Sequence, residues 1–252
     1  MKTLLLSITI LLGSVNAQTQ TRKFPNDLEI SLWENRFYKS TPENIRDLVY
    51  GEFYSLPQNT VWPERLQKLV LEVYKKYYTR ENYKKLPPEG ECAGDDQVYI
   101  MRVIEWQKNP LFLPALMEDF TTGLGVTDAL VAIGEPAFQP VIDKLNQGGQ
   151  SYVQQYIQWR AIKTIEVMFE QDLLFLQRRE NQALIRQGLI NVAEQKDHFG
   201  NITAVIALQH VSNAPVITLL NSIKIDPGYK NTVREEASRS LERIAALPLN
   251  HQ

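Results

Sequence analysis

The chain has 252 residues, and its 27 Lys and Arg against 29 Asp and Glu leave a formal net charge of −2. Hydrophobic residues make up 44 % and charged residues 22 %, a composition typical of globular proteins. It excludes a disordered acidic chain and a strongly basic nucleic-acid binder. The single cysteine excludes a disulfide-stapled scaffold and a multi-cysteine metal site.

Residues 1–17 have the organisation of a secretory signal peptide. Lys2 precedes an apolar run over residues 4–12, and small or aliphatic residues follow at Val15 and Ala17. The run is shorter than the ~20 apolar residues of a membrane-spanning helix. We therefore predict cleavage after Ala17 and a secreted or periplasmic mature chain without a transmembrane segment. A buried N-terminal helix is the alternative interpretation.

Cys92 lies in a segment of turn-forming and acidic residues, 87–96, which predicts a loop. A lone thiol in an exported protein has no partner within its own chain. Three interpretations are open: a disulfide-linked dimer through Cys92, a reactive thiol, and a locally packed cysteine. The locally packed cysteine needs the fewest assumptions. The acids of this loop lack the spacing of a calcium-binding loop, so we predict no metal site, and no motif indicates a cofactor.

Helical periodicity runs through the chain, and no stretch of strict apolar and polar alternation indicates a strand. A divergent N-terminal region over residues 18–120 is predicted to contain helices at 42–54, 62–78, 96–107 and 111–120. One face of the second helix carries the apolar residues Trp62, Leu66, Leu69, Val70, Val73 and Tyr77. Aromatic residues are dense between Trp33 and Tyr83; we interpret them as core, and a ligand-binding surface is the alternative.

The C-terminal half repeats a two-helix unit. Residues 128–142 align with 206–220 without a gap, and each segment joins a helix rich in small residues to an aliphatic helix. Gly134 and Pro136 separate the two helices of the first unit, because Gly can end a helix in the left-handed conformation and Pro suits the start of the next. Further helices are predicted over 152–169, 181–194 and 233–244.

Residues 130–145, Leu-Val-Ala-Ile-Gly-Glu-Pro-Ala-Phe-Gln-Pro-Val-Ile-Asp-Lys-Leu, resemble the HEAT-repeat pattern. The resemblance is clearest over 125–147 and weaker over 201–223 and 232–247. It implies an all-α fold in which residues 121–252 form a right-handed α-α superhelix of the HEAT or armadillo kind. The last helix would cap this stack with a charged outer face formed by Arg234, Glu235, Glu236, Arg239, Glu242 and Arg243.

No catalytic signature is present. Gly-x-Ser-x-Gly, His-Glu-x-x-His and phosphate-binding glycine loops are all missing. His198 is predicted in a turn at a helix C-terminus, where a cationic imidazole is favourable, and His210 is predicted half-buried between helices. Basic residues form no continuous stripe, so nucleic acid is not expected as a partner. Asn201 begins an N-glycosylation sequon.

Three functions are consistent with this architecture. The preferred one is a non-enzymatic interaction module in which the second helix of each unit lines a groove for a protein or peptide, through Gln139, Asp143, Asn146, Arg186, Asn191, Glu194, Thr218 and Asn221. The second is a glycan or cell-envelope ligand binder, which requires three or more N-terminal aromatic residues exposed on one surface. The third is a hydrolase-like enzyme, which requires His198 or His210 within hydrogen-bond distance of a carboxylate in an open cleft.

Overall fold

The computed structural model describes residues 23–41, 44–58, 60–79, 82, 95–121 and 125–246. Within these residues all regular structure is helical and no strand occurs, which confirms the predicted all-α class. The predicted signal peptide at 1–17 and Cys92 lie outside the described residues. None of the helices in the described ranges is both long and apolar enough to cross a membrane.

Helix α1, Asp27–Lys39, was not predicted from the sequence. Asn26 and Glu29 form a capping box at its start, in which each side chain accepts a hydrogen bond from the other residue's backbone N–H. One face of α1 buries Ile30, Trp33 and Phe37. The Asn-x-x-Glu spacing followed by apolar residues at helical intervals is the sequence signal for this helix.

The other N-terminal elements follow the predicted ones closely. They are a π-helical segment Asp47–Phe53, α2 Glu64–Val73 with a π-helical continuation Tyr74–Tyr78, α3 Asp95–Gln107, a 3₁₀ turn Pro110–Phe112 and α4 Leu113–Glu118. All six apolar residues predicted on the face of α2 and its continuation are buried. They pack in the same core as the aromatic side chains of α1, so the N-terminal aromatic residues largely fill the interior.

The C-terminal half consists of α5 Val126–Ile133, α6 Glu135–Asn146, α7 Tyr152–Glu170, α8 Arg179–Ala193, α9 Asn201–Ala207, α10 Ala214–Ile225 and α11 Asn231–Ala246, with 3₁₀ turns at Leu174–Gln177 and Leu208–Val211. Gly134 joins α5 to α6 without a loop. Its φ of 77° lies in a region that side chains rarely adopt, and Pro136 follows in the first turn of α6. Pro136 opens α6 as predicted, whereas Gly134, with a ψ of −134°, has a positive φ but not the left-handed helical conformation that was predicted for it.

These helices form two layers. In one layer α3, α5, α7, α9 and α11 pack in succession, and in the other α8 packs between α6 and α10. The short connections α6–α7, α8–α9 and α10–α11 all lie along one edge of the layers, which we call the first edge. The second edge carries the C-terminal ends of α5, α7, α9 and α11 together with the N-terminal ends of α6, α8 and α10.

The charged face predicted for α11 needs one correction. Glu236 is only 7 % exposed, and its carboxylate accepts hydrogen bonds from Arg239 (3.2 Å) and Arg243 (3.0 Å). Glu236 therefore contributes an ion-pair network at the inner side of the helix. The outer face is carried by the remaining charged residues of α11.

Candidate functional surfaces

The eight residues predicted to bind a partner lie on one layer of three neighbouring helices. Gln139, Asp143 and Asn146 are on α6, Arg186 and Asn191 on α8 with Glu194 at its C-cap, and Thr218 and Asn221 on α10. Seven of them are exposed, and Arg186 is half-buried. Since α8 packs against both α6 and α10, the exposed residues share the outer surface of this layer. We call it the amide face.

Several side chains of the amide face are bonded within their own helix. Gln139 Nε2 donates to Asp143 Oδ1 (2.8 Å), Thr218 Oγ1 donates to the Ala214 carbonyl (3.0 Å) and Asn221 Nδ2 donates to the Ile217 carbonyl (3.0 Å). These local bonds hold the side chains close to the helix surface. Five of the eight side chains are neutral hydrogen-bonding groups, and Asp143, Arg186 and Glu194 are charged.

Arg186 has a structural partner. Its Nε donates to the carbonyl of Val211 at 2.9 Å, which links the middle of α8 to the 3₁₀ turn at the end of α9. This hydrogen bond connects α8 to the 3₁₀ turn Leu208–Val211. Because Arg186 is half-buried and its Nε is already bonded, only part of its guanidinium can contact a partner.

Gly188 sets the distance between α6 and α8. A Cβ atom at this position would lie 2.7 Å from Leu145 Cγ and 3.1 Å from Asn146 Oδ1, closer than normal van der Waals contact. A glycine in the middle of a helix is unfavourable by itself. Here it permits the close approach that makes the amide face continuous from α6 to α8.

A partly exposed cluster of aromatic side chains occupies the first edge. Its members are Tyr152, Tyr156 and Trp159 of α7 and Phe199 of the α8–α9 connection; we call them the aromatic patch. Tyr152 is 74 % exposed and Phe199 39 % exposed, whereas Tyr156 and Trp159 are half-buried. The Phe199 ring lies 5.5 Å from Tyr152, 6.4 Å from Tyr156 and 6.2 Å from Trp159, so the four rings form one surface.

This patch was not predicted from the sequence. Val153, which follows Tyr152 in α7, is also exposed, at 62 %. The available signal was the spacing of Tyr152, Tyr156 and Trp159, which lie four and three residues apart and share a helix face. Sequence alone does not tell whether such a face points inward, because that depends on the helices packed against it.

A buried hydrogen-bond network positions Phe199. Gln158 Nε2 donates to the Leu145 carbonyl (2.9 Å), and its Oε1 faces His198 Nε2 at 3.0 Å. The N–H of Gly200 donates to His198 Nδ1 (2.9 Å), so the imidazole is neutral and Nε2 carries its proton. Burial lowers the pKa of His198. The interpretation of His198 as a cationic residue at a helix end is therefore wrong.

The N-terminal aromatic residues do not form a comparable surface. Among those described between residues 33 and 78, only Tyr38 is exposed, at 74 %; Tyr50 and Tyr54 are half-buried and the others are buried, and Tyr83 lies outside the described residues. The condition set for a ligand-binding surface, three exposed aromatic side chains, is not met in this part of the chain.

Neither described histidine is bonded to a carboxylate. His198 is bonded to Gln158 and Gly200, and His210 Nε2 has only Gln209 within hydrogen-bond distance, at 3.4 Å. His210 is exposed and stacks on Phe169, with ring centroids 4.7 Å apart, which differs from the predicted burial between helices. Over the described ranges, no three His, Cys, Asp or Glu side chains are grouped as metal ligands.

The sequon asparagine is part of the fold. Asn201 is 4 % exposed, and its Nδ2 donates to the Lys196 carbonyl at 3.0 Å. The same nitrogen also donates to the Gln195 carbonyl (3.5 Å), so a glycan would replace one of its two hydrogen bonds and has no room at this buried position.

Comparison of the chain with known protein families, with curated proteins and with solved structures finds no match. Fold and surface alone therefore define the class of protein. It is an all-helical protein with two layers of helices in its C-terminal half, an amide face on the outer layer and an exposed aromatic patch at one edge.

Proposed function

We propose that this chain is an exported, non-enzymatic interaction module of the HEAT or armadillo kind, with a right-handed superhelix, that binds a polypeptide partner. The observation that carries the proposal is the aromatic patch. Contiguous exposed apolar patches often mark interaction sites, and aromatic residues, Tyr and Trp above all, are enriched at the energetic centres of protein interfaces. Tyr152 and Phe199 provide such a centre on a rigid support.

The amide face continues from the patch. Asn146 precedes Tyr152 across the α6–α7 connection, and Glu194 precedes Phe199 across the α8–α9 connection. A polypeptide anchored on the aromatic rings can therefore extend over the ends of α6 and α8. There its backbone N–H and C=O groups would meet the side-chain amides, which supply both donors and acceptors.

The test uses peptides selected from a random displayed library on the purified mature chain, residues 18–252. Affinities of the selected peptides are then measured by fluorescence anisotropy. Replacing Tyr152 or Phe199 by Ser is expected to weaken binding about 30-fold, the effect of losing one aromatic hot spot of ~2 kcal/mol. Tyr38→Ser is the matched control, because Tyr38 is as exposed as Tyr152 at 74 % but lies on α1.

The amide face is tested with the same peptides. Asn191→Ala and Asn221→Ala are each expected to weaken binding about fivefold, since a neutral hydrogen bond contributes ~1 kcal/mol. Asn35→Ala, an exposed asparagine on α1, should leave the affinity unchanged. Equal binding by all these variants, or failure of any peptide to be enriched, would overturn the proposal.

A further inference from the structure

A pocket lies at the second edge, at the opposite end of the helices from the aromatic patch. It has a volume of about 340 Å³ and lies between the C-terminal end of α7, the first turn of α8 and the 3₁₀ turn that follows α9. This volume falls at the lower end of the range of small-molecule sites. The functions considered so far make no use of it.

One wall of the pocket is aromatic. Phe169 and His210 both line it, and their rings stack at 4.7 Å with an interplanar angle of 12°. The side of the imidazole that packs on Phe169 is desolvated, which lowers the pKa of His210. Because Phe169 is only 9 % exposed while His210 is exposed, the flat surface on which the C–H groups of a ligand ring can lie is the outer face of the imidazole.

The remaining walls carry polar groups that have free bonding capacity. Gln182 Nε2 donates to Gln177 Oε1 (3.2 Å), which leaves the Gln177 amide N–H and the Gln182 carbonyl oxygen available. The Ser212 hydroxyl and the Asp172 carboxylate make no side-chain hydrogen bond within the described part of the chain. Donors and acceptors are thus mixed, which suits a ligand whose groups both donate and accept.

Asp172 is held in an unusual backbone conformation. Its φ is 49°, in the left-handed region that residues other than glycine seldom adopt. The conformation belongs to the C-terminal cap of α7, where the N–H of Asp172 donates to the Phe169 carbonyl (3.0 Å) and the N–H of Leu173 donates to the Met168 carbonyl (3.4 Å). Here the conformation places a carboxylate at the rim of the pocket.

The charges that line the pocket disfavour an anion. The positive charge of Arg243 is already paired with Glu236 at 3.0 Å, so the Asp172 carboxylate is the uncompensated charge among the lining residues. A carboxylate accepts strong hydrogen bonds from hydroxyl groups and repels anionic ligands. Together, the aromatic wall, the mixed polar groups and this carboxylate favour a neutral ligand rich in hydroxyl groups.

We propose that this pocket binds a neutral pyranose sugar, with one ring face on the His210–Phe169 wall and its hydroxyl groups bonded to Asp172, Gln177, Gln182 and Ser212. The sugar could reach the pocket as a free monosaccharide or as the terminal residue of a longer glycan. Both present the same ring and hydroxyl chemistry. This proposal does not depend on the polypeptide-binding function, since the two surfaces lie at opposite edges.

The probes are glucose, galactose and N-acetylglucosamine, with cellobiose and chitobiose as two-residue counterparts and glucuronate as an anionic comparison. Binding to the mature chain is followed by saturation-transfer NMR and titrated for affinity. At least one neutral sugar is expected to bind. A disaccharide that binds more tightly than its monosaccharide identifies the end of a glycan as the ligand, and equal affinities identify a free sugar.

Two variants locate the binding. Asp172→Asn keeps a residue that tolerates positive φ and is expected to weaken binding on the order of tenfold, the effect of losing a charge-assisted hydrogen bond. Gln182→Leu removes a neutral partner and should weaken binding about fivefold. The matched controls are Asp47→Asn and Gln147→Leu, which make the same chemical changes at exposed sites outside the pocket.

Three results would overturn the proposal. They are the absence of saturation transfer to every neutral sugar, an affinity that changes equally in the pocket variants and their controls, and tighter binding of glucuronate than of all neutral sugars. Peptide binding by the same variants stays at the wild-type level if the proposed polypeptide function is correct, so the two proposals fail independently.

Discussion

Gln158 and His198 form a buried hydrogen bond of 3.0 Å that joins three helices of the C-terminal half. The two residues are each 2 % exposed and are 40 positions apart in the chain. Through the Leu145 carbonyl the bond reaches the end of α6, and through Gly200 it reaches the start of α9. This polar contact fixes the connection that carries Phe199, and it is the structural basis of the aromatic patch.

Replacing Gln158 by Leu should destabilise the fold. The variant leaves the Leu145 carbonyl and the His198 N–H buried without partners, and each such group costs ~1–3 kcal/mol. Urea unfolding followed by circular dichroism should give a loss of about 2–5 kcal/mol. Gln147→Leu, at an exposed position, serves as control and should change the free energy of unfolding by less than ~0.5 kcal/mol. A loss in Gln158→Leu no larger than in the control would contradict the network.

Stability should fall as the pH drops below about 6.5. Burial holds the folded-state pKa of His198 below its ordinary value of 6.5, so the unfolded chain takes up a proton in this range before the folded chain does. The contribution of His198 is fully present above pH 6.5 and is lost on acidification towards the folded-state pKa. The measurement is the urea midpoint at pH 7.5 and at pH 5.5.

His198→Gln isolates this contribution. Glutamine cannot gain a charge and keeps a donor for Gln158, so the variant should be less stable at pH 7.5 but lose less stability between pH 7.5 and 5.5 than the wild type does. His210, whose pKa is also lowered, and Glu166, whose pKa burial raises, titrate in both proteins and cancel in the comparison. An identical pH dependence in the two proteins would show that His198 does not titrate with folding.

Gly188→Ala should destabilise the protein, although alanine is the better helix former. The new Cβ would meet Leu145 Cγ at 2.7 Å, and overpacking of this kind costs ~1–3 kcal/mol. Gly51→Ala is the matched control. No atom lies within 4 Å of a Cβ at Gly51, and its φ is not positive, so the substitution should stabilise by ~0.5–1 kcal/mol. The stability change of each variant is measured by thermal unfolding. If Gly188→Ala and Gly51→Ala changed stability in the same direction, the close approach of α6 and α8 would be refuted.

Glu236→Gln should lower stability by about 1 kcal/mol. The carboxylate is buried, but Arg239 and Arg243 are 60 % and 49 % exposed, so solvent screens their part of the interaction. Glu235→Gln changes the neighbouring exposed residue and should have almost no effect. If 1 M salt removes the difference between the two variants, the loss is electrostatic; a difference that salt leaves intact would point to packing instead.

The local features of the chain were readable from its sequence. Helix periodicity from Trp62 to Tyr77 and the Gly134–Pro136 turn predicted elements that the structure contains, because helix propensity, capping and turn geometry depend on residues within a few positions. Helix α1 belongs to the same group, since the Asn26–Glu29 capping box that begins it is a local signal. The all-α class followed from these elements together.

Tertiary structure alone decided which side chains meet solvent. Trp33 and Tyr152 are both aromatic residues of helices, yet Trp33 is 4 % exposed and Tyr152 is 74 % exposed. Likewise His198 is buried while His210 lies on the surface beside a pocket. Exposure is set by helices that are distant in sequence, and the positions of both the aromatic patch and the pocket depend on how α7, α8 and α9 pack together. No local pattern contains that information.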